Sequence, residues 1–211
     1  MHFKLLILLV SSLLLFPLQT SFAGSLHADA AVYSDYVWRG LTQTNGRPAV
    51  QGGLEFVTDG TWYFGAWVSN TTMGTNGQNS PELDYYVGMS NKGKGMAYDL
   101  GMINYTFPES SGDDFTEIYF SFILDSYSVK YSTSADVGTY IEFNMTQKLH
   151  LRKDTYLNFH VGQYQINSGT DYIDGNVAII VSEFSLTISQ TTLNSTHDKD
   201  TKYFVGWNRT F

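Results

Sequence analysis

Beyond about residue 24, polar and apolar residues take turns almost to the end of the chain, and no stretch of eleven or more holds a 3.6-residue apolar period. The period-two runs fall at roughly 27–38, 49–58, 61–69, 82–90, 96–107, 115–124, 126–134, 138–150, 154–164, 173–182, 184–192 and 201–211, which predicts twelve strands. Their connections alternate in length. Longer polar segments (40–48, 70–81, 108–114, around Ala135, 166–172, 194–200) are interleaved with tight turns at Asp59-Gly60, 91–95, Asp125, Arg152-Lys153 and Glu183. Loops on one rim and hairpins on the other describe an all-β, antiparallel up-and-down β-barrel, and an even strand count returns both termini to the short-turn rim.

The two faces separate cleanly in several runs. Ile141, Phe143, Met145 and Leu149 oppose Glu142, Asn144, Thr146 and Lys148; Leu83, Tyr85, Val87 and Met89 oppose Glu82, Asp84, Gly88 and Ser90; Leu157, Phe159 and Val161 oppose Asn158, His160 and Gly162. A soluble barrel points its apolar face inward, a membrane barrel outward. The polar faces here carry small residues and charges of both signs, while the apolar faces carry bulky aliphatics with aromatics near the strand ends, the pattern of a hydrocarbon band with interfacial girdles. The last strand, Tyr203 to Phe211, ends on an aromatic with apolar residues at every second position before it, as closing strands of bacterial outer-membrane barrels do. The expected architecture is therefore a transmembrane barrel with its apolar face on lipid. Two residues break the alternation: Trp67 falls on the inward face, where it narrows the lumen, and Arg209 falls outward near the rim, where it can snorkel.

The first residues read differently. Lys4 precedes the apolar run Leu5 to Phe16, and Ser21-Phe22-Ala23 offers a small-x-small exit, so 1–23 is expected to be a signal peptide and 24–211 the outer-membrane β-barrel. The apolar run is too short for the ~20 residues of a spanning helix. Composition agrees with strands, with 15 Tyr, 14 Phe and 4 Trp against 4 Pro. The formal charge is −8, from 12 Lys+Arg against 20 Asp+Glu, and loss of Lys4 with the leader makes it more acidic. That balance excludes counterion-release binding to nucleic acid. The absence of cysteine excludes disulfides, thiol catalysis and cysteine-ligated zinc.

Catalytic motifs are lacking: there is no P-loop, G-x-G-x-x-G, H-E-x-x-H or G-x-S-x-G. Among the histidines only His160 falls mid-strand on an inward face. It reads either as a general base paired with a serine on a neighbouring strand or as a lumen residue hydrogen-bonded to its neighbours. The acidic patches Asp113-Asp114 and Asp198-Lys199-Asp200 read as solvated loop tips, or as holders of calcium or bridged lipopolysaccharide. No cofactor is expected. The inward charges say more. Alternation places Asp35, Glu55, Glu82, Asp84, Asp99, Glu117 and Glu142 inside with Arg39, Lys130 and Lys148, an acidic excess, and these with His160 are the pore-lining candidates. On one strand Asp35 and Arg39 stand about 13 Å apart at a ~3.3 Å rise, so each needs a partner elsewhere in the wall.

The segment Ser34-Asp35-Tyr36-Val37-Trp38-Arg39-Gly40, followed by Gln43-Thr44 and Pro48 to Gly53, resembles the TorF-type porin family of Gram-negative bacteria. Gly65 to Asn70, Glu82-Leu83-Asp84, Tyr98 to Gly101 and Tyr105 to Pro108 follow in the family's order; beyond about residue 125 alternation alone continues. Trp38 stands where the pattern more often has Phe, and Arg47 where an acid is usual. The resemblance implies a barrel in the cell outer membrane, with lipid and lipopolysaccharide around it and the barrel-assembly machinery reading the C-terminal strand that ends at Phe211. The expected function is passive, cofactor-free diffusion of ions or small polar solutes, mildly cation-preferring. A closed structural or adhesive barrel acting through its loops is the second reading, and a membrane-embedded hydrolase using His160 the third.

Overall fold

The computed structural model describes residues 23–58, 60–72, 80–110, 112–151, 154–194 and 200–211. The expected leader, apart from Ala23, lies outside these, as do Asp59, Arg152, Lys153, Asp198 and Lys199. Among the described residues, twelve strands form one closed antiparallel barrel: β1 (Gly24–Tyr33), β4 (Ala49–Thr58), β5 (Trp62–Thr71), β6 (Ser80–Lys92), β7 (Met96–Thr106), β8 (Phe115–Leu124), β9 (Tyr127–Ser134), β10 (Gly138–Leu149), β11 (Thr155–Ile166), β12 (Tyr172–Val181), β13 (Phe184–Thr191) and β14 (Lys202–Thr210). The remaining two elements, β2 (Val37–Trp38) and β3 (Leu41–Thr42), pair only with each other. Each barrel strand is hydrogen-bonded to its neighbours in sequence order, and β1 closes on β14 from Asp29↔Thr210 to Tyr33↔Gly206. Closure satisfies the backbone that a membrane leaves no water to satisfy.

The polarity of the barrel is inverted relative to a soluble one. Its exposed side chains include Leu54, Phe143, Ile141 and Val161, whereas Glu117, Asp174, Thr71 and Ser132 are buried. Phe143 is 42% exposed on the outside of β10, and its strand neighbours Glu142 and Asn144 face in. Apolar-out and polar-in along the strands is the transmembrane arrangement. Trp67 does point inward, edge-on to Tyr36 with ring centroids 5.7 Å apart. Arg209 lies outside, with its guanidinium 5.3 Å over the Phe211 ring and 3.7 Å from Glu183.

The first strand differs from the expectation. The alternation predicts 27–38, yet β1 stops at Tyr33 and the chain leaves the wall at Ser34, which exchanges hydrogen bonds with Val205 through its backbone N–H (2.9 Å) and its Oγ (3.0 Å). Asp35 and Arg39 are therefore not wall residues of one strand. They belong to a segment, 34–48, that folds into the loop-side mouth of the barrel as the β2–β3 hairpin. Its tip, Arg39-Gly40, has positive φ at both residues (46° and 77°), the two-residue turn that matches strand twist. Glycine is required at 40 for a second reason: a Cβ there would run into the side chains of Asp174 on β12 and Thr191 on β13.

Candidate channel lumen

The inserted hairpin is held by a knot at its base and an ion pair at its tip. At the base, Asp35 accepts hydrogen bonds from the hydroxyls of Thr42 (2.5 Å) and Thr44 (3.0 Å), and the Gln43 carbonyl accepts the Thr72 N–H (2.8 Å) beside β5. At the tip, both terminal nitrogens of Arg39 donate to the two carboxylate oxygens of Glu117 on β8, each at 2.8 Å. The guanidinium lies 4.2 Å over the rings of Trp38 and Tyr140 and 4.7 Å over Tyr164. Tyr172 donates to the Arg39 carbonyl at 3.0 Å. A planar, delocalised cation suits this aromatic box better than an ammonium. With side chains 7% and 2% exposed, the pair is buried, and removing either partner alone leaves an uncompensated charge at a cost of about 3–5 kcal/mol.

Below the hairpin, His160 on β11 uses both ring nitrogens. Nδ1 lies 2.8 Å from Asn144 Oδ1; Nε2 lies 2.9 Å from Asp174 Oδ1 and 3.0 Å from the Tyr140 hydroxyl, which itself donates to Asp174 Oδ2. The positions opposite His160 on the adjacent strands are Asn144 and Asn176, so no serine faces it from either neighbour. Both ring nitrogens of His160 are thus engaged by neighbouring wall residues.

The middle of the lumen holds charges that do not touch. Lys130 on β9 is directly opposite Glu142, yet its Nζ lies 4.2 Å over the Tyr119 ring instead. Tyr119 and Tyr63 meet hydroxyl to hydroxyl at 2.5 Å, and Tyr63 donates to Asp99 at 2.6 Å. Both rings need close approach to a neighbouring strand. Tyr119 lies against Gly101 and Tyr63 against Gly88, where any side chain would displace the ring. These tyrosines, with Glu55, Asp99 and Lys130, line a cavity of about 430 Å³. It shares Lys130 and Tyr105 with a cavity of about 220 Å³ beneath the hairpin, which in turn shares Val37, Asn176 and Phe204 with one of about 370 Å³ against β12–β14.

The other pore-lining candidates lie apart from this centre. Glu82 and Asp84 are buried on β6 at 4% and 5% exposure, and Asp84 Oδ1 has no hydrogen-bond partner among the described residues. Lys148, near the short-turn rim, is exposed with its Nζ 5.7 Å over Tyr156. Asp113 and Asp114 tie up their own loop, accepting from the Ser110 hydroxyl and the Phe107 N–H.

The sequence pattern of a bacterial protein family of unknown function, Gcw_chp, matches residues 20–209. The chain belongs to that family. No curated protein matches the Gcw_chp chain in sequence. Among solved structures, a KdgM porin superposes with a TM-score of 0.61 over 88% of this chain and 99% of the other at 12% identity. A KdgM porin in complex with disordered oligogalacturonate gives 0.58 over 88% and 98% at 11% identity. At that identity the likeness concerns the fold: the Gcw_chp chain is built as a porin-like membrane barrel.

Two groups of lumen residues in the Gcw_chp barrel are absent from the pore-lining candidates. Asp174 and Asp29 face in and add to the acidic excess. Asp174 lies on the face of β12 opposite Ile173, Val177 and Ile179, so alternation alone places it inside. The inward tyrosines 63, 105, 119, 140, 164 and 172 carry no such signal, because tyrosine is equally at home in the aromatic girdles.

Proposed function

We propose that the protein is an outer-membrane channel for passive diffusion of small polar solutes, in which the Arg39 hairpin forms the constriction. The observation that carries this reading is the set of cavities beside and below the hairpin, linked through shared lining residues, inside a closed twelve-strand barrel. The porin-like fold and the TorF-type motifs support the same reading. A polyanion such as the oligogalacturonate in complex with one of the similar porins fits this lumen poorly, because carboxylates outnumber bases along the wall. Neutral, zwitterionic and cationic solutes fit it better, with a mild preference for cations over anions. Lipid and lipopolysaccharide surround the barrel in this reading, and the assembly machinery engages the strand ending at Phe211.

Planar-bilayer recording of the refolded chain tests the proposal: discrete conductance steps are expected, and their absence overturns it in favour of a closed barrel. The closed reading draws on one observation, the filling of the mouth by the hairpin. Fractionation with the outer membrane and heat-modifiable gel mobility are expected in both readings, whereas detergent-free recovery from the periplasm sinks both.

A further inference from the structure

We infer that the mid-lumen cavity is a binding subsite for a zwitterionic solute, one carrying both an ammonium and a carboxylate, such as an amino acid or short peptide. The inference rests on the channel reading and names its substrate class. Opposite charges that share a water-filled cavity ordinarily pair, since each gains from the other. Here they are kept apart. Lys130 has no carboxylate within ion-pair distance among the described residues and is held on the face of Tyr119. Asp99 accepts from Tyr63, and Glu55 lines the same cavity beside Tyr86. Tyr119 acts as a spacer, its ring under the ammonium and its hydroxyl on Tyr63, which carries Asp99. The result is a cavity of about 430 Å³ with a positive pole at Lys130 and negative poles at Glu55 and Asp99.

The field between such poles orients a dipolar guest. Lys130 offers N–H donors to a carboxylate, and the carboxylate oxygens of Asp99 and Glu55 offer acceptors to an ammonium, strengthened by charge on both sides. A simple anion meets the acids, and a simple cation meets Lys130. A neutral sugar uses neither pole. Tyr63 and Tyr119 are positioning residues.

The test uses the full barrel in two settings. Liposome swelling compares L-glutamine with L-arabinose, a neutral solute of similar size, and saturation-transfer NMR on the detergent-folded barrel reads glutamine binding without any need for flux. In the parent, glutamine is expected to enter faster than arabinose and to receive saturation. Lys130→Met and Asp99→Asn are each expected to lower the glutamine-to-arabinose ratio roughly five-fold, the consequence of one lost charged contact, with arabinose entry unchanged. Tyr119→Phe, which keeps the ring under Lys130 and removes the hydroxyl on Tyr63, is expected to give a smaller loss. Equal entry of the two solutes with no saturation transfer overturns the subsite and leaves the channel standing. Entry of neither solute overturns the channel, and the NMR result then decides the subsite alone.

Discussion

Arg39 and Glu117, separated by 78 positions in the chain, meet as a two-pronged ion pair with both contacts at 2.8 Å. One residue belongs to the turn of an inserted hairpin and the other to the wall of β8, so the pair pins that hairpin across the loop-side mouth. Aromatic rings flank the guanidinium on its faces.

Glu117→Gln is expected to release the hairpin without unfolding the barrel, because the wall strands do not depend on it for their ladder. Single-channel conductance should rise, and chymotrypsin should cut after Trp38 faster than in the parent. Replacing both partners, Arg39→Met with Glu117→Leu, should restore protection in part, since no charge is left buried alone. Equal protection of Trp38 in parent and Glu117→Gln would falsify the latch.

Substitution on the two faces of β10 should give unequal results. Phe143→Arg puts a charge on lipid at about 2–4 kcal/mol near the midplane. Asn144→Arg keeps its charge in the lumen and gives up a hydrogen bond to His160 worth roughly 1 kcal/mol. Folding yield in lipid vesicles reads the difference, and equal damage from both contradicts the lipid-out register.

Gly101→Val places a branched side chain under Tyr119 and should cost about 1–3 kcal/mol by overpacking. The temperature at which gel mobility shifts should fall, while Gly46→Ala, at a glycine with open space around it in the inserted segment, should leave it nearly unchanged apart from backbone strain. A shift temperature for Gly101→Val equal to the parent's denies the close packing.

Glu142→Gln should lower the cation-to-anion permeability ratio, because this carboxylate faces the cavity that Lys130 and His160 also line. The exposed loop residue Glu109 is the control, and Glu109→Gln should matter less. Raising salt from about 0.1 M to 1 M, which shortens the screening length from ~10 Å to ~3 Å, should weaken the preference in the parent. An unchanged reversal potential in Glu142→Gln removes this residue from the selectivity argument.

The barrel itself was legible because its information is local. Period-two alternation through Ile141 to Asn144, or Leu83 to Ser90, states which side of the sheet each residue occupies without reference to the rest of the chain. The hairpin was not legible for the opposite reason. Val37-Trp38 and Leu41-Thr42 alternate like wall strands, and what pulls them inward is a partner on β8 and rings on β10 and β11 that local pattern does not reveal. The same limit applies to Lys130. Its cross-strand neighbour could be inferred to be an acid, but its resting place on Tyr119 depends on Gly101 opposite, a contact between strands. His160 shows the reverse case, where the inward face was evident and its hydrogen-bond partners, Asn144, Asp174 and Tyr140, were not.

The hairpin near the chain's beginning is clasped by residues that come much later: Glu117, Tyr140, Tyr164 and Tyr172 lie on β8, β10, β11 and β12. Until those strands stand in the wall, Arg39 has no box to enter and the mouth has no constriction. Seating of the guanidinium therefore comes only after β8, β10, β11 and β12 have assembled, and it reports that this part of the wall is in place.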